Sequence, residues 1–117
     1  MKNEPPKSVH RFEDEHPEIW RAFAALAEQC HEQGGPLDEK SRRLVKLGIA
    51  VGMRHEGAVH SAVRHALASG IAPEEIRHSA ILAITTIGWP SAYAAVTWID
   101  DVLSMKQPSR GGEDTPE

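Results

Sequence analysis

The chain has 117 residues, 40% of them hydrophobic but only 5% aromatic, and a formal net charge of −4. That length suits one domain around one core, and a mild negative charge without a basic block excludes a nucleic-acid footprint. No apolar run reaches the roughly 18 residues that span a bilayer, and the first residues, MKNEPPKSVHRFEDEHPE, contain no apolar segment of the kind a signal peptide needs. The expectation is a soluble cytoplasmic protein with no nucleic-acid or membrane partner.

Alanine is abundant, and small side chains let helices approach one another closely, which favours helix packing over a sheet core. Residues 1–15 are Pro-rich and charged and read as a mobile N-terminal tail; residues 107–117, QPSRGGEDTPE, read as a C-terminal one. Between them, residues 16–106 divide into about five helices. The first opens at Pro17, a favoured first-turn residue, with Glu18 near the positive helix end. Its stripe is Ile19, Trp20, Phe23, Ala24, Leu26 and Ala27, and Gly34-Gly35-Pro36 stops it. Cys30 near its end is the only cysteine, so neither an intrachain disulfide nor a CxxC redox pair exists, and it reads as a small apolar residue.

The second helix is capped by Asp38 or Ser41 and is expected to bury Leu44, Val45, Leu47, Ile49 and Val51 as far as Met53. Gly48 and Gly52, four residues apart, would admit a neighbouring helix. Whether a bend near Arg54 separates it from the third helix stays open. That third helix runs from about His55 to Ser69, with Gly70 as its stop. The fourth begins at Pro73 with Glu74 and Glu75 in its first turn and continues as a buried apolar helix to Gly88. The fifth, Ser91 to about Met105, carries Ala94, Ala95, Trp98, Ile99 and Val102 at helical spacing. The fold class is all-α.

Chemistry concentrates in the third helix. At about 100° per residue, Ala58, Ala62, Ala66, Val59, Val63 and Leu67 form one apolar arc. His55 is expected to project into that arc, with Glu56 and His60 at its edge. Glu56 and His60 are four residues apart, so the carboxylate can orient the imidazole, fixing its tautomer and tuning its basicity for proton transfer near neutral pH. The plainer alternative is a polar pair stabilising a helix edge by a few tenths of a kcal/mol. His55-Glu56-Gly57-Ala58-Val59-His60 is not HExxH: its two histidines are about 140° apart on the helix and do not share a metal, so no metal site is assigned. His65 is expected to face solvent, and His78 to form a surface pair with Glu74.

Taken together, LDEKSRRLVKLGIAVGMR, the junction formed by Ala66, Leu67, Gly70, Glu74, Glu75 and Ile76, the apolar helix ending at Gly88 and WPSAYAA resemble the carboxymuconolactone decarboxylase family, which includes the alkylhydroperoxidase D-like proteins. The resemblance covers roughly residues 17–105 and implies an all-helical homo-oligomer, a trimer or hexamer, with a pocket at or near a subunit interface. In the peroxidase branch, the two redox cysteines would fall on His55 and Ala58, the histidine that follows them on Ala62, and the proton-relay glutamate on Arg43. Thiol peroxidase chemistry needs a thiolate and a resolving thiol, so it is rejected for this chain. The decarboxylase branch works without a cofactor, by proton transfer, but its histidine also falls on Ala62.

The expected function is therefore a cofactor-independent acid/base enzyme, of decarboxylase or isomerase type, acting on a small organic acid. His60 would be the acid or base, Glu56 its orienting partner and His55 a further polar group. Arg43 or Arg54 would hold the substrate carboxylate. Two alternatives stand beside it: a non-catalytic binding or assembly protein, for which Glu56 and His60 pair outward, and a metal-assisted enzyme using those two residues.

Overall fold

The structure, a computed structural model, describes residues 7–106. Among these, six α-helices and no strands are present: α1 (Lys7–Glu15), α2 (Pro17–Glu28), α3 (Glu39–Met53), α4 (Glu56–Ala68), α5 (Pro73–Ile87) and α6 (Trp89–Lys106). A π-helical turn, Gln29–Gln33, continues α2. Residues 7–15, read from sequence as part of a tail, form α1, and the tail expected over 107–117 lies outside the described residues.

The helix boundaries follow local chemistry. The Asp38 carboxylate accepts from the Ser41 N–H at 2.8 Å, capping α3. Arg54, at φ 57°, takes the left-handed conformation and breaks α3 from α4, which answers the question of a bend there. After α4, Gly70 at φ 85° lets its own N–H reach the Leu67 carbonyl and the Ile71 N–H reach the Ala66 carbonyl, a Schellman ending. Pro73 then opens α5, where Glu75 reaches back to accept from the Ala72 N–H at 3.2 Å.

Helices α3 to α6 form a ring in which α3 packs on α4 and α5, and α6 on the same two helices. Leu47 and Val51 of α3, Val59 and Val63 of α4, Ile76 of α5 and Ile99 of α6 meet in its core. Two expectations about burial need correction. Val45 and Ile49 of α3 are exposed, because Leu44, Leu47 and Val51 make the stripe that faces the core while positions 45 and 49 lie on flanking faces. On α5 only Ile76 and Ala80 are buried, and Ile81 and Leu82 face outward, since a helix on the outside of a ring has one face to bury. Gly48 and Gly52 admit no close neighbour; no atom approaches within 4 Å of where a Cβ would stand, and both line an open groove between α3 and α5.

Helix α2 stands apart from this ring. It packs chiefly against α1 and the π turn, and none of its residues is buried despite its apolar stripe. Phe12, Trp20 and Phe23 form a run of ring contacts along the α1–α2 arm.

Candidate functional site

Between the α1–α2 arm and the α3–α4 face lies an open cavity of about 970 Å³. From α2, Trp20, Phe23, Ala24 and Ala27 line it at the three- and four-residue spacing of one helical face. Ile49, Ala50 and Met53 of α3 and Ala58 and Ala62 of α4 supply the opposite apolar wall. Polar groups gather at one end, where Arg43, Lys46, Arg64, His65, His31 and Glu32 border the space.

The π turn carries the α2 face one turn further, to His31, which is only 8% exposed. Its Nε2 meets Glu39 Oε1 at 2.8 Å. Glu39, in the first turn of α3, is the hub of this end. Its carboxylate also accepts from Arg43 Nε and from Ser69 Oγ, each at 2.8 Å, and from Arg42 Nη2 at 3.1 Å. Hydrogen bonds from Arg43, His31, Ser69 and Arg42 hold the Glu39 carboxyl far below the usual carboxylate range, against the smaller opposing effect of burial.

His65 lies across the same end. Burial lowers its pKa below the ordinary 6.5, and the charges of Arg43, Lys46, Arg64 and His31 add to that. The imidazole is therefore neutral at pH 7, a proton acceptor set among cations. Lys46 and Arg64 have no ion-pair partner among the described residues, whereas Arg43 is engaged by Glu39. Two of the three cations are thus open to an anionic ligand.

Of the residues singled out from sequence, Arg43 lines the cavity and Arg54 does not; Arg54 is exposed at the α3–α4 break. His55, Glu56 and His60 do not line it either. His55 has extended φ and ψ of −112° and 110°, so helical geometry does not carry it into the apolar arc; its Nδ1 instead accepts from the Ala58 N–H at 3.0 Å as the N-cap of α4. Glu56 and His60 do come together, at 3.7 Å, but on the outward side of α4, where Asp101 of α6 joins them at 3.3 Å from His60 Nε2. This is the outward pairing that the assembly alternative requires. Ligand atoms of Glu56, His60 and Asp101 lie within 4.8 Å of one another, as do those of His31, Glu32 and Glu39, so each set has the spacing to hold a divalent cation. In the second set Arg42 already occupies the carboxylates, at 3.1 Å from Glu39 and 3.7 Å from Glu32.

His65, expected to face solvent, is half-buried on the cavity wall, because the cavity occupies the flank of α4 that a two-dimensional projection assigns to water. Cys30 is exposed, and His78 is exposed without a pair to Glu74 among the described residues. Reading the sequence alone does not single out His31 or Glu39. A signal for His31 exists: it lies four residues after Ala27 and seven after Ala24, on the same face as both.

Residues 17–101 match the model of the carboxymuconolactone decarboxylase family. The chain belongs to that family. Its fold agrees with the crystal structure of a carboxymuconolactone decarboxylase family protein from Legionella pneumophila, with a TM-score of 0.73 at 22% identity over 86% of this chain and 89% of the other. No curated protein matches the sequence. The all-helical architecture expected from the resemblance is thus the observed one. Positions 43, 58 and 62, onto which three of the four redox residues of the peroxidase branch fall, all line the cavity in this family member and hold Arg, Ala and Ala. Among the described residues, no helix is long and apolar enough to cross a membrane.

The Glu39 network makes the fold acid-sensitive. Its depressed carboxyl pKa adds stability that is complete above the ordinary glutamate value of 4.5 and is lost as pH falls below it. His65, also depressed, is charged more readily in the unfolded chain, so its effect begins as pH falls through 6.5. Thermal melts from pH 8 to pH 3 are expected to show a shallow decline below 6.5 and a steeper one below 4.5. Glu39→Gln should flatten the steeper limb and cost about 2 kcal/mol at pH 7, modest for four charge-assisted bonds because the carboxylate is partly exposed.

Proposed function

We propose that this carboxymuconolactone decarboxylase family member is a cofactor-independent acid/base enzyme, of decarboxylase or isomerase type, that acts on a small organic acid in the cavity between α2 and the α3–α4 face. The observation that carries this reading is the cavity's two-ended character: apolar walls, and one end where Arg43, Lys46 and Arg64 surround an imidazole kept neutral. A carboxylate is held at that end, best by the unpaired Lys46 and Arg64, while an apolar body rests against Trp20, Phe23 and Met53. The bound anion offsets the cations that disfavour a proton on His65, so the ring gains basicity as the ligand arrives. His65 then exchanges a proton with the carbon next to the carboxylate or carbonyl, the step common to decarboxylation and isomerisation. A two-thiol peroxidase mechanism has no residues to run on here, since Cys30 is the single cysteine of the sequence.

Proton exchange tests this function directly, whichever acid is the substrate. 2-Oxo acids and unsaturated acids are incubated with the protein in D₂O, and deuterium entry at the acidic C–H positions is followed by NMR. Catalysed exchange in at least one acid, weakened by Lys46→Ala or Arg64→Ala through KM, supports the reading. No exchange and no binding of any acid would sink it.

Self-association is part of the same proposal. Ile19 and Leu26 on α2 are 59% and 60% exposed, on a helix that buries nothing, and a second copy is the natural cover for them. Sedimentation at micromolar concentration is expected to give a trimer or hexamer, and Ile19→Glu with Leu26→Glu to lower its mass. A wild-type monomer would contradict it.

A further inference from the structure

The outer face of α4 holds a second group of chemically capable side chains, away from the cavity. Spacing within α4 offers only Glu56 and His60; the third member, Asp101, lies 41 residues beyond His60 and is brought in by the packing of α6 on α4. His60 Nε2 stands 3.3 Å from Asp101 Oδ2 and 3.7 Å from Glu56 Oε2, and the three atoms lie within 4.8 Å of one another. A zinc ion with bonds of about 2.1 Å keeps tetrahedral ligands about 3.4 Å apart. The two contacts to His60 thus already have the separations that such an ion imposes. Turning the exposed Glu56 side chain is enough to bring the third ligand into place. Access is open, since the His60 side chain is 27% exposed and the two carboxylates are each 55% exposed.

Charge separates this group from the other histidine–carboxylate set of the protein. Around His31, the Glu32 and Glu39 carboxylates are met by the guanidinium groups of Arg42 and Arg43. Among the described residues, Glu56 and Asp101 meet no lysine or arginine. The neighbouring Asp100 is taken by Arg77 at 3.0 Å and belongs to a different pair. Two carboxylates therefore converge on one imidazole, which offsets one negative charge at most. A divalent cation offsets both.

We propose that Glu56, His60 and Asp101 form a binding site for a divalent transition-metal ion of the zinc class, which ties the first turns of α4 to the last turns of α6. One nitrogen with two carboxylate oxygens suits zinc, and the imidazole favours it over magnesium or calcium. His60 offers the Nε2 lone pair to the ion and carries its ring proton on Nδ1. Water completes the shell on the solvent side. None of the three residues lines the cavity, so the ion is structural and takes no part in proton transfer there. The site is independent of the acid/base reading of the cavity and stands or falls without it.

Zinc itself is the probe, titrated by calorimetry into untagged protein in a Cys30→Ser background, because the exposed thiol is a zinc ligand in its own right. One ion per chain is expected. His60→Gln and Asp101→Asn should each lower the affinity about tenfold or more, since losing even a group that only orients a ligand commonly costs that much. Both positions are on the surface side of their helices, and unchanged helicity by circular dichroism confirms that the variants fold. At a zinc concentration about 100 times Kd, the thermal midpoint should rise by roughly 5–10 °C in the parent protein and not in His60→Gln. In ¹⁵N-histidine spectra, zinc should move the His60 proton to Nδ1. No binding up to about 1 mM zinc overturns the proposal. So does binding that His60→Gln and Asp101→Asn leave intact, or that His31→Gln abolishes instead.

Discussion

Replacing His65 by glutamine is expected to reduce proton exchange on the protein's best organic acid by about 10²–10⁴-fold, the usual range for removing a positioned acid or base. Glutamine keeps the size and one hydrogen-bonding end of the side chain but cannot take up a proton. His65 borders the cavity and holds no neighbouring side chain in place, so its loss should leave ligand affinity within a few-fold of wild type. The deficit belongs in kcat, not KM, and steady-state kinetics separate the two. His60→Gln is the matched control. His60 is bound to Glu56 and Asp101 outside the cavity, so near-normal exchange is expected for that variant. If His60→Gln abolished exchange while His65→Gln spared it, the site would have to move to the outer face of α4.

The largest stability effect is expected from Ile99→Ala. Ile99 is 0% exposed on α6 and sits in the core where α4, α5 and α6 converge with Val59, Val63, Ile76 and Ala80. Truncation removes the transfer free energy of the lost carbons and leaves a cavity that rigid helices refill only partly. Together these amount to about 2–5 kcal/mol. For a domain of this size that is a fall in midpoint of roughly 10–25 °C. Thr85→Ala, at an exposed position of α5, should stay within about 0.5 kcal/mol. Both melts should be run at one protein concentration, because self-association makes the midpoint concentration-dependent. Equal midpoints for Ile99→Ala and wild type would mean that α6 does not close the ring as described.

Much of the fold is legible in the sequence because it depends on short-range chemistry. Asp38 as a cap, Gly70 as a stop, Pro73 as a start and the stripe of Ala95, Ile99 and Val102 each act within one or two helical turns, and each stands where local rules put it. Helix α1 is not legible in this way, because it is short and mostly polar, with Val9 and Phe12 its only apolar residues, and it packs chiefly against α2. For His55, helical dihedrals begin one residue later than its place in the apolar pattern suggests. That shift is enough to turn an inward-pointing side chain into a cap, because each residue turns the side chain by about 100°.

The functional site divides along the same line. Composition and spacing along one helix are enough to give an all-helical fold, to rule out a dithiol mechanism from the single cysteine, and to bring Glu56 to His60. Tertiary structure alone decided which polar groups share a cavity. His31, Arg43 and His65 come from the π turn, α3 and α4, with Glu39 bonded to the first two, and their meeting depends on how the α2 arm stands against the four-helix ring. No periodicity within a helix encodes that distance. It is set by packing between elements, and packing makes Glu39 the hub of one network while leaving Glu56 on an outer face.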